Sequence, residues 1–220
     1  MKLEMFFLLV LFCIAIIAPP PSFAGSDTAI SPSPLLSLVR KNYNPQTPFE
    51  TKLNLTIYWS VREKEEKKQG SILLAPGDRF RVTVGNDTYV SDGTTLWTYN
   101  SRANQVVIKP LADVDLSIHP SRLFVTYIGR CLFREQELND GVAKLSWKSD
   151  SSSAAYTSMV VWVQVKTGSI TKCIMTDRNK NLFTYIFTGT VFGKKAPKGA
   201  FDFVIPNNAQ VVDTREDTRK

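Results

Sequence analysis

The chain has 220 residues, 43% of them hydrophobic, and a formal net charge of +7. A length of this order suits one domain with a real core. The basic charge does not in itself indicate a nucleic-acid-binding protein, because anionic lipid surfaces and acidic proteins are the expected counterparts of an exported basic chain. Much of the charge is dispersed along the sequence, which favours plain solubility over a specific basic site.

Residues 1–24 predict a secretory signal peptide. An apolar run over residues 5–18 is followed by Ser22-Phe23-Ala24, which has small residues at the two positions that a signal peptidase reads. The run is shorter than the roughly 20 residues of a membrane-spanning helix. Cys13 lacks the preceding small residue of a lipobox. We therefore expect export, with cleavage after Ala24.

A short helix is predicted directly after residues 25–32, which are small and polar and are typical of a flexible N-terminal segment. Ser33 is an N-cap candidate, and Pro34 suits the first helical position. The apolar side of this helix consists of Leu35, Leu36, Leu38 and Val39.

The segments that follow show the period-2 alternation of β-strands. One face of the first strand consists of Leu53, Leu55, Ile57, Trp59 and Val61. The charged run EKEEKKQG is predicted to form a hairpin tip, and Pro76-Gly77 to separate two further strands. Asp92-Gly93 is typical of a type I′ turn, in which both central residues have positive φ. Beyond this turn Trp97 and Tyr99 share one face of a strand.

A second helical stretch is predicted at HPSRLFVTYIGRCLF, residues 119–133, before the β pattern resumes. The last predicted strand is AFDFVIPNNAQVVD. About ten strands and two helices indicate an antiparallel meander, curled into a barrel or half-barrel with the helices against it. Two alternatives stay open for its many aromatic residues: they fill a packed core, or they surround an apolar cavity that the helices cover.

The sequence offers no catalytic constellation. His119 is the single histidine, which argues against a metal site, and neither a G-x-S-x-G elbow nor a Gly-rich phosphate loop is present. We therefore expect no enzyme activity and no cofactor, although an exported enzyme built around His119 is a competing hypothesis. Cys131 and Cys173 could form a disulfide or remain buried thiols.

Three stretches carry a family resemblance: GSILLAPGDRFRV, then VSDGTTLWTYNSRANQVVI, then FDFVIPNNAQVVD. Their order resembles the LolA family of periplasmic carriers of outer-membrane lipoproteins. The resemblance implies a mainly β domain over residues 33–220. Its fold would be one unclosed, curved antiparallel sheet, a half-barrel of about ten to eleven strands, with helices as a lid over an apolar cavity.

The resemblance also implies partners and a site. Acylated lipoproteins would be the cargo, a LolCDE-like ABC transporter of the inner membrane the donor and a LolB-like outer-membrane protein the acceptor, with the carrier a periplasmic monomer. The acyl-chain cavity is expected at Leu55, Ile57, Trp59, Phe80, Val82, Trp97, Tyr99, Phe183 and Phe187. The lid is expected at Leu35, Leu36, Val39, Leu123, Phe124, Tyr127 and Ile128.

One departure from the family concerns the lid. Members commonly carry an arginine that hydrogen-bonds to the lid, and here that position is Ala75 or Pro76. The lid contact would then be absent or relocated to Arg79 or Arg81. A second hypothesis keeps the fold and changes the role, to an envelope sensor or lipid-binding module without carrier activity.

Overall fold

A computed structural model describes residues 33–114, 140–149 and 155–215, together with the backbone of residues 134–137. Twelve strands lie in these residues and form a single sheet. Their bounds are β1 Phe49–Trp59, β2 Lys64–Ala75, β3 Arg79–Val84, β4 Asp87–Asp92, β5 Thr95–Asn100, β6 Gln105–Pro110, β7 Arg134–Glu137, β8 Val142–Lys148, β9 Tyr156–Gln164, β10 Ser169–Asp177, β11 Leu182–Phe192 and β12 Gln210–Asp213.

The sheet is curved and unclosed, as the half-barrel prediction requires. Its strand order is β12-β6-β5-β4-β3-β2-β1-β11-β10-β9-β8-β7, so β12 and β7 lie at opposite ends. The strands β1 to β6 form one antiparallel meander, and β7 to β11 form a second. The two meanders join where β1 pairs with β11, placing Leu53 beside Phe187.

The helix α1, Pro34–Asn42, forms where the sequence predicts it. The Ser33 hydroxyl accepts a hydrogen bond from the Leu36 backbone N–H at 3.1 Å, and Pro34 occupies the first turn, where an N–H would have no partner. Arg40 and Lys41 lie in the last turn, where cations interact favourably with the helix dipole. The second predicted helix lies outside the described residues.

The charged run in β2 is part of the ladder, so the prediction of a hairpin tip there is wrong. Lys64 already pairs with Trp59 of β1. The β1–β2 connection therefore consists of only the four residues before Lys64, and among them Val61 is 88% exposed. The strand tolerates its charges because alternate residues have opposite sign. Glu66 and Lys68 form an ion pair at 3.0 Å on one face.

The β4–β5 connection is not the predicted type I′ turn. Its central residues are Gly93 and Thr94, of which Gly93 alone has a positive φ, of 102°. Asp92 ends β4 instead of opening the turn, and its carboxylate accepts from the backbone N–H groups of Thr94 and Thr95 at 2.8 Å. Burial raises the pKa of this carboxyl, but the hydrogen bonds outweigh that effect and lower the pKa.

The C-terminal part also departs from the prediction of a long closing strand. Only Gln210–Asp213 joins the sheet, and it pairs with β6 in parallel, unlike every other strand pair in the described residues. Residues 194–209, here called the C-terminal segment, run between β11 and β12 with turns and no ladder.

Gly70 marks a close approach of β2 and β3, so Gly70→Ala should destabilise the domain. An added Cβ would lie 1.8 Å from the backbone oxygen of Thr83, and the two strands would have to separate. We expect the free energy of unfolding to fall by about 3 kcal/mol, measured by urea denaturation with tryptophan fluorescence. Gly141→Ala is the control: no atom lies within 4 Å, so the cost should be only the about 1 kcal/mol of a positive φ. Equal costs would contradict the close approach.

Candidate functional site

The face of the sheet toward α1, here called the inner face, is apolar over many strands. The regular antiparallel register aligns its side chains in rows that cross β8, β9, β10, β11 and β1. One row is Leu145, Val161, Cys173, Tyr185 and Leu55, and the next is Trp147, Met159, Met175, Phe183 and Ile57. Most of these side chains are buried, and they belong to one continuous hydrophobic cluster.

The titratable groups buried in the hydrophobic cluster are neutral, whereas Glu66 and Lys68, which pair with Ile57 and Leu55, form an ion pair at the margin of the inner face. Burial raises the pKa of the Tyr43 and Tyr185 hydroxyls and of the Cys173 thiol above their usual ranges. Cys173 is a fully buried free thiol. Its possible partner Cys131 lies outside the described residues. The surface that α1 covers is therefore uncharged at physiological pH.

Helix α1 lies on this inner face through its apolar side. Leu35, Leu36 and Val39 are buried and belong to the hydrophobic cluster of the sheet. Burying one such side chain contributes roughly 2 kcal/mol. The three together contribute roughly 6 kcal/mol to the docking of α1, and they are the lid residues that the sequence predicts in the first helix.

Tyr43 anchors the C-terminal end of α1. Its ring packs edge-on against Phe49 and Phe192, with centroids 5.5 and 5.2 Å away. Its hydroxyl oxygen accepts a hydrogen bond from the backbone N–H of Ile170 at 2.9 Å, in a buried position. A void of only about 10 Å³ remains between Tyr43, Phe49 and the neighbouring sheet residues, which is about the smallest space that holds one water.

A second contact ties α1 to the β9–β10 turn. The Asn42 side-chain amide donates to the backbone oxygen of Thr167 at 2.8 Å. Gly168 has a positive φ, and a Cβ there would lie 2.7 Å from Leu38 Cγ, so glycine permits the helix to approach the turn. The helix is thus fixed at its C-terminal end by hydrogen bonds and along its length by apolar contacts.

The opposite end of the inner face carries half-buried aromatic rings. Phe183 lies at the centre, edge-on to Trp59 at 6.2 Å and to Tyr156 at 5.8 Å. The indole N–H of Trp59 donates to Glu66 at 3.3 Å, which places a polar group at the margin of the apolar surface. These aromatic rings are partly exposed to solvent, whereas the residues under α1 are buried.

The predicted cavity residues divide between the two faces of the sheet. Those in or against the inner-face cluster are Leu55, Ile57, Trp59, Phe80, Val82, Phe183 and Phe187. Trp97 and Tyr99 are not among them, because the inner position of β5 is taken by Leu96. The predicted lid residues Leu123, Phe124, Tyr127 and Ile128 lie outside the described residues.

Trp97 and Tyr99 pack on the other face, here called the outer face, against the C-terminal segment. The ring of Phe203 stacks on Trp97 at 6.1 Å with an interplanar angle of 16°, and its centroid lies 6.4 Å from Tyr99. Buried Val90, Val106 and Ile108 surround this contact on neighbouring outward positions. The structure therefore separates the two aromatic residues from the expected cavity wall.

Arg79 and Arg81 hold the C-terminal segment and do not contact α1. Arg81 donates to the backbone oxygens of Ala200 at 2.7 Å and of Asp202 at 2.8 Å. The Arg79 guanidinium lies over the ring of Phe201 at 5.6 Å and donates to Pro76. Neither arginine therefore hydrogen-bonds to α1 in place of the lid arginine of the family.

Two residues of the site escape sequence analysis. Tyr43 continues the helical spacing of Leu36 and Val39 but is not among the predicted apolar residues of the helix, and Phe203 lies in a stretch that alternates like a strand. The spacing from Val39 is a sequence signal that could have found Tyr43, whereas no local pattern assigns Phe203 its contact with Trp97. Within the described ranges, no group of His, Cys, Asp or Glu could hold a metal ion. No helix among the same residues is long and apolar enough to cross a membrane.

A family model described as "Outer membrane lipoprotein carrier protein LolA" matches residues 60–204. The chain belongs to the LolA family. The match includes β2 to β11 and most of the C-terminal segment, and it begins directly after β1. No curated protein matches this LolA-family chain in sequence.

Solved structures are similar to this chain at low sequence identity, and the first described here has a TM-score above 0.5. An uncharacterized conserved protein from Thermus thermophilus is 18% identical with a TM-score of 0.52, and the match covers 81% of this chain and 96% of that one. A LolA superfamily protein from Nitrosomonas europaea is 12% identical with a TM-score of 0.43, covering 79% and 98%. A putative outer membrane lipoprotein-sorting protein domain from Vibrio parahaemolyticus is 11% identical with a TM-score of 0.39, covering 76% and 94%.

Tyr43→Phe should loosen α1, because the buried N–H of Ile170 would lose its acceptor. We expect the free energy of unfolding to fall by about 1–3 kcal/mol. Amide hydrogen exchange should accelerate more in residues 34–43 than in β10. Tyr99→Phe is the matched control, since its half-buried hydroxyl makes one long hydrogen bond of 3.3 Å to Asn104. Unchanged exchange in α1 after Tyr43→Phe would show that the hydroxyl is not an anchor.

Arg81→Ala should release the C-terminal segment from the outer face, because two backbone oxygens lose their shared donor. We expect trypsin to cleave faster after Lys194, Lys195 and Lys198. Gel electrophoresis and mass spectrometry would measure the rate and identify the sites. Arg102→Ala, at an exposed turn, is the control for a lost arginine. Identical cleavage rates in wild type and Arg81→Ala would contradict this role.

Proposed function

We propose that this chain is a periplasmic carrier that takes up the acyl chains of lipoproteins between α1 and the inner face of its sheet. It would transport them from the inner to the outer membrane. Membership of the family described as outer membrane lipoprotein carrier protein is the observation that carries the proposal. The proposed role is one of binding, and it requires no catalytic group.

The chemistry of the inner face supports an acyl ligand. A chain of about 14 methylenes opposes transfer into water by roughly 11 kcal/mol, at about 0.8 kcal/mol per methylene. Only a broad, uncharged surface can compensate this cost. The rows of aliphatic, aromatic and sulfur-containing side chains between β8 and β1 have that character, and their titratable groups are neutral.

Uptake requires displacement of α1 in this proposal, because the void beneath Tyr43 is too small for an acyl chain. The apolar contacts of Leu35, Leu36 and Val39 amount to roughly 6 kcal/mol. One acyl chain would replace them with a larger apolar contact. An apolar helix that covers the empty face also protects the free carrier from aggregation.

The exposed aromatic end of the inner face is the proposed point of first contact with cargo. Trp59 and Phe183 are only partly buried, so an acyl chain can reach them before α1 moves. The proposed donor is a LolCDE-like transporter and the proposed acceptor a LolB-like protein. A monomer suffices for this exchange.

A cross-link between α1 and the β9–β10 turn should block uptake. The variant carries Leu38→Cys and Gly168→Cys, at positions that approach closely, together with Cys131→Ser. Native Cys173 is buried and cannot compete. Incubated with spheroplasts that have just made a lipoprotein, the oxidised variant should release none. After treatment with dithiothreitol it should release the lipoprotein as a soluble one-to-one complex.

Wild type and a variant with Leu38→Cys and Cys131→Ser, which lacks the second thiol of the cross-link, are the controls, and both should release lipoprotein in either redox state. Equal release by the oxidised and reduced forms of the cross-linking variant would refute displacement of α1. If wild type leaves the lipoprotein in the membrane but binds free lipid, the carrier proposal fails and the sensor or lipid-binding hypothesis replaces it.

A further inference from the structure

The outer face of the second meander gathers basic residues that are far apart in the sequence. The register places Lys144, Trp162, Lys172 and Ile186 in one row across β8, β9, β10 and β11. The Lys172 ammonium lies 4.7 Å from the centroid of the Trp162 ring, and the Lys144 ammonium lies 5.9 Å from it. One half-buried indole thus has two cations beside it.

Further cations continue this surface, here called the Lys–Trp face. Lys148 lies four residues beyond Lys144 on the same side of β8, and Lys52 lies on the outward side of β1 beside Thr188 of β11. The outward positions of β8, β9, β10 and β11 that alternate with the inner rows carry no aspartate or glutamate. The ion pairs recorded among the described residues involve none of these four lysines.

Apolar side chains lie between the lysines. Ile186 is 37% exposed and Leu182 is 38% exposed, and Val160 and Ile174 are half-buried at neighbouring outward positions. Large aliphatic side chains in contact with water cost free energy that a plain solvated face would avoid. Lysines, by contrast, can lay their methylene stems along such a surface and extend the ammonium group beyond it.

The C-terminal segment covers the other half of the outer face and leaves this half uncovered by any described residue. Over β3 to β6 the rings of Phe201 and Phe203 pack on the sheet. The Lys–Trp face lies on the opposite side of the β1–β11 junction. Its side chains therefore lie at the surface of the domain described here.

We propose that the Lys–Trp face binds the surface of a phospholipid bilayer that carries net negative charge. Lysines near such a surface are attracted to lipid phosphates. Tryptophan is favoured at the level of the lipid headgroups, because its indole ring is largely apolar but carries an N–H that can hydrogen-bond to water or headgroups. Ile186 and Leu182 are placed to contact the upper acyl region. The mixture of cations, indole and aliphatic groups on an open sheet face fits a bilayer better than it fits an acidic protein, which would require placed hydrogen-bond partners.

The test is co-sedimentation of the full chain with sucrose-loaded vesicles, which contain no lipoprotein and therefore leave cargo binding aside. Vesicles with three parts phosphatidylcholine to one part phosphatidylglycerol should bind the protein, and pure phosphatidylcholine vesicles should not. Raising the salt concentration should weaken binding, because exposed charges are screened. Lipids brominated near the headgroup should quench wild-type fluorescence more than that of Trp162→Phe.

Two triple variants with the same change of charge locate the binding surface. Lys144→Gln, Lys148→Gln and Lys172→Gln together should weaken binding on the order of 100-fold, at roughly fivefold per lysine. Lys194→Gln, Lys195→Gln and Lys198→Gln remove three charges from another exposed region and should change binding little.

An equal loss of vesicle binding in the two triple variants would show that binding depends only on net charge, and would overturn the proposal. Absence of binding to anionic vesicles would also overturn it, and would leave an acidic protein as the candidate for this face. Neither result would affect release of lipoproteins from spheroplasts, so failure of this inference is distinguishable from failure of the carrier role. Circular dichroism confirms that each variant is folded.

Discussion

The need to cover a broad apolar inner face determines much of this structure. The rows of inward side chains between β8 and β1 cannot be left in water, and in the described residues α1 provides their cover. Tyr43 makes that cover specific, because its ring fills the space beside Phe49 while its hydroxyl satisfies a buried backbone N–H. In the proposed function the surface that stabilises the domain through α1 would also accept an acyl chain, so stability and binding would compete for one set of contacts.

The two halves of the outer face have different chemistry. Over β3 to β6 it is closed by the C-terminal segment, which Arg81 holds through two backbone oxygens and Phe203 through stacking on Trp97. Over β8 to β11 it stays open and basic, around Trp162. If the inner face binds cargo as proposed, the outer face is available for contacts that position the molecule.

Local sequence signals predicted α1 and the strand pattern well, since Ser33 and Pro34 define a helix start and β1 alternates cleanly. Alternation could not say which face Trp97 takes, because that depends on Phe203, which is distant in sequence. It also could not distinguish the C-terminal segment from a strand, since an extended chain that packs by its side chains shows the same period. The gathering of lysines into one face is set by register, and dispersed charges give no sign of it.

The junction between β1 and β11 has a consequence for how the domain folds. Thr51 of β1 bonds to the backbone oxygen of Thr188, 137 residues later. Closing so large a loop is entropically costly, and sheets dominated by such distant pairings fold slowly. Each meander can form locally before that step, but it then presents an unpaired strand edge to other chains. The domain should therefore be most vulnerable to aggregation after its two halves have formed and before they meet.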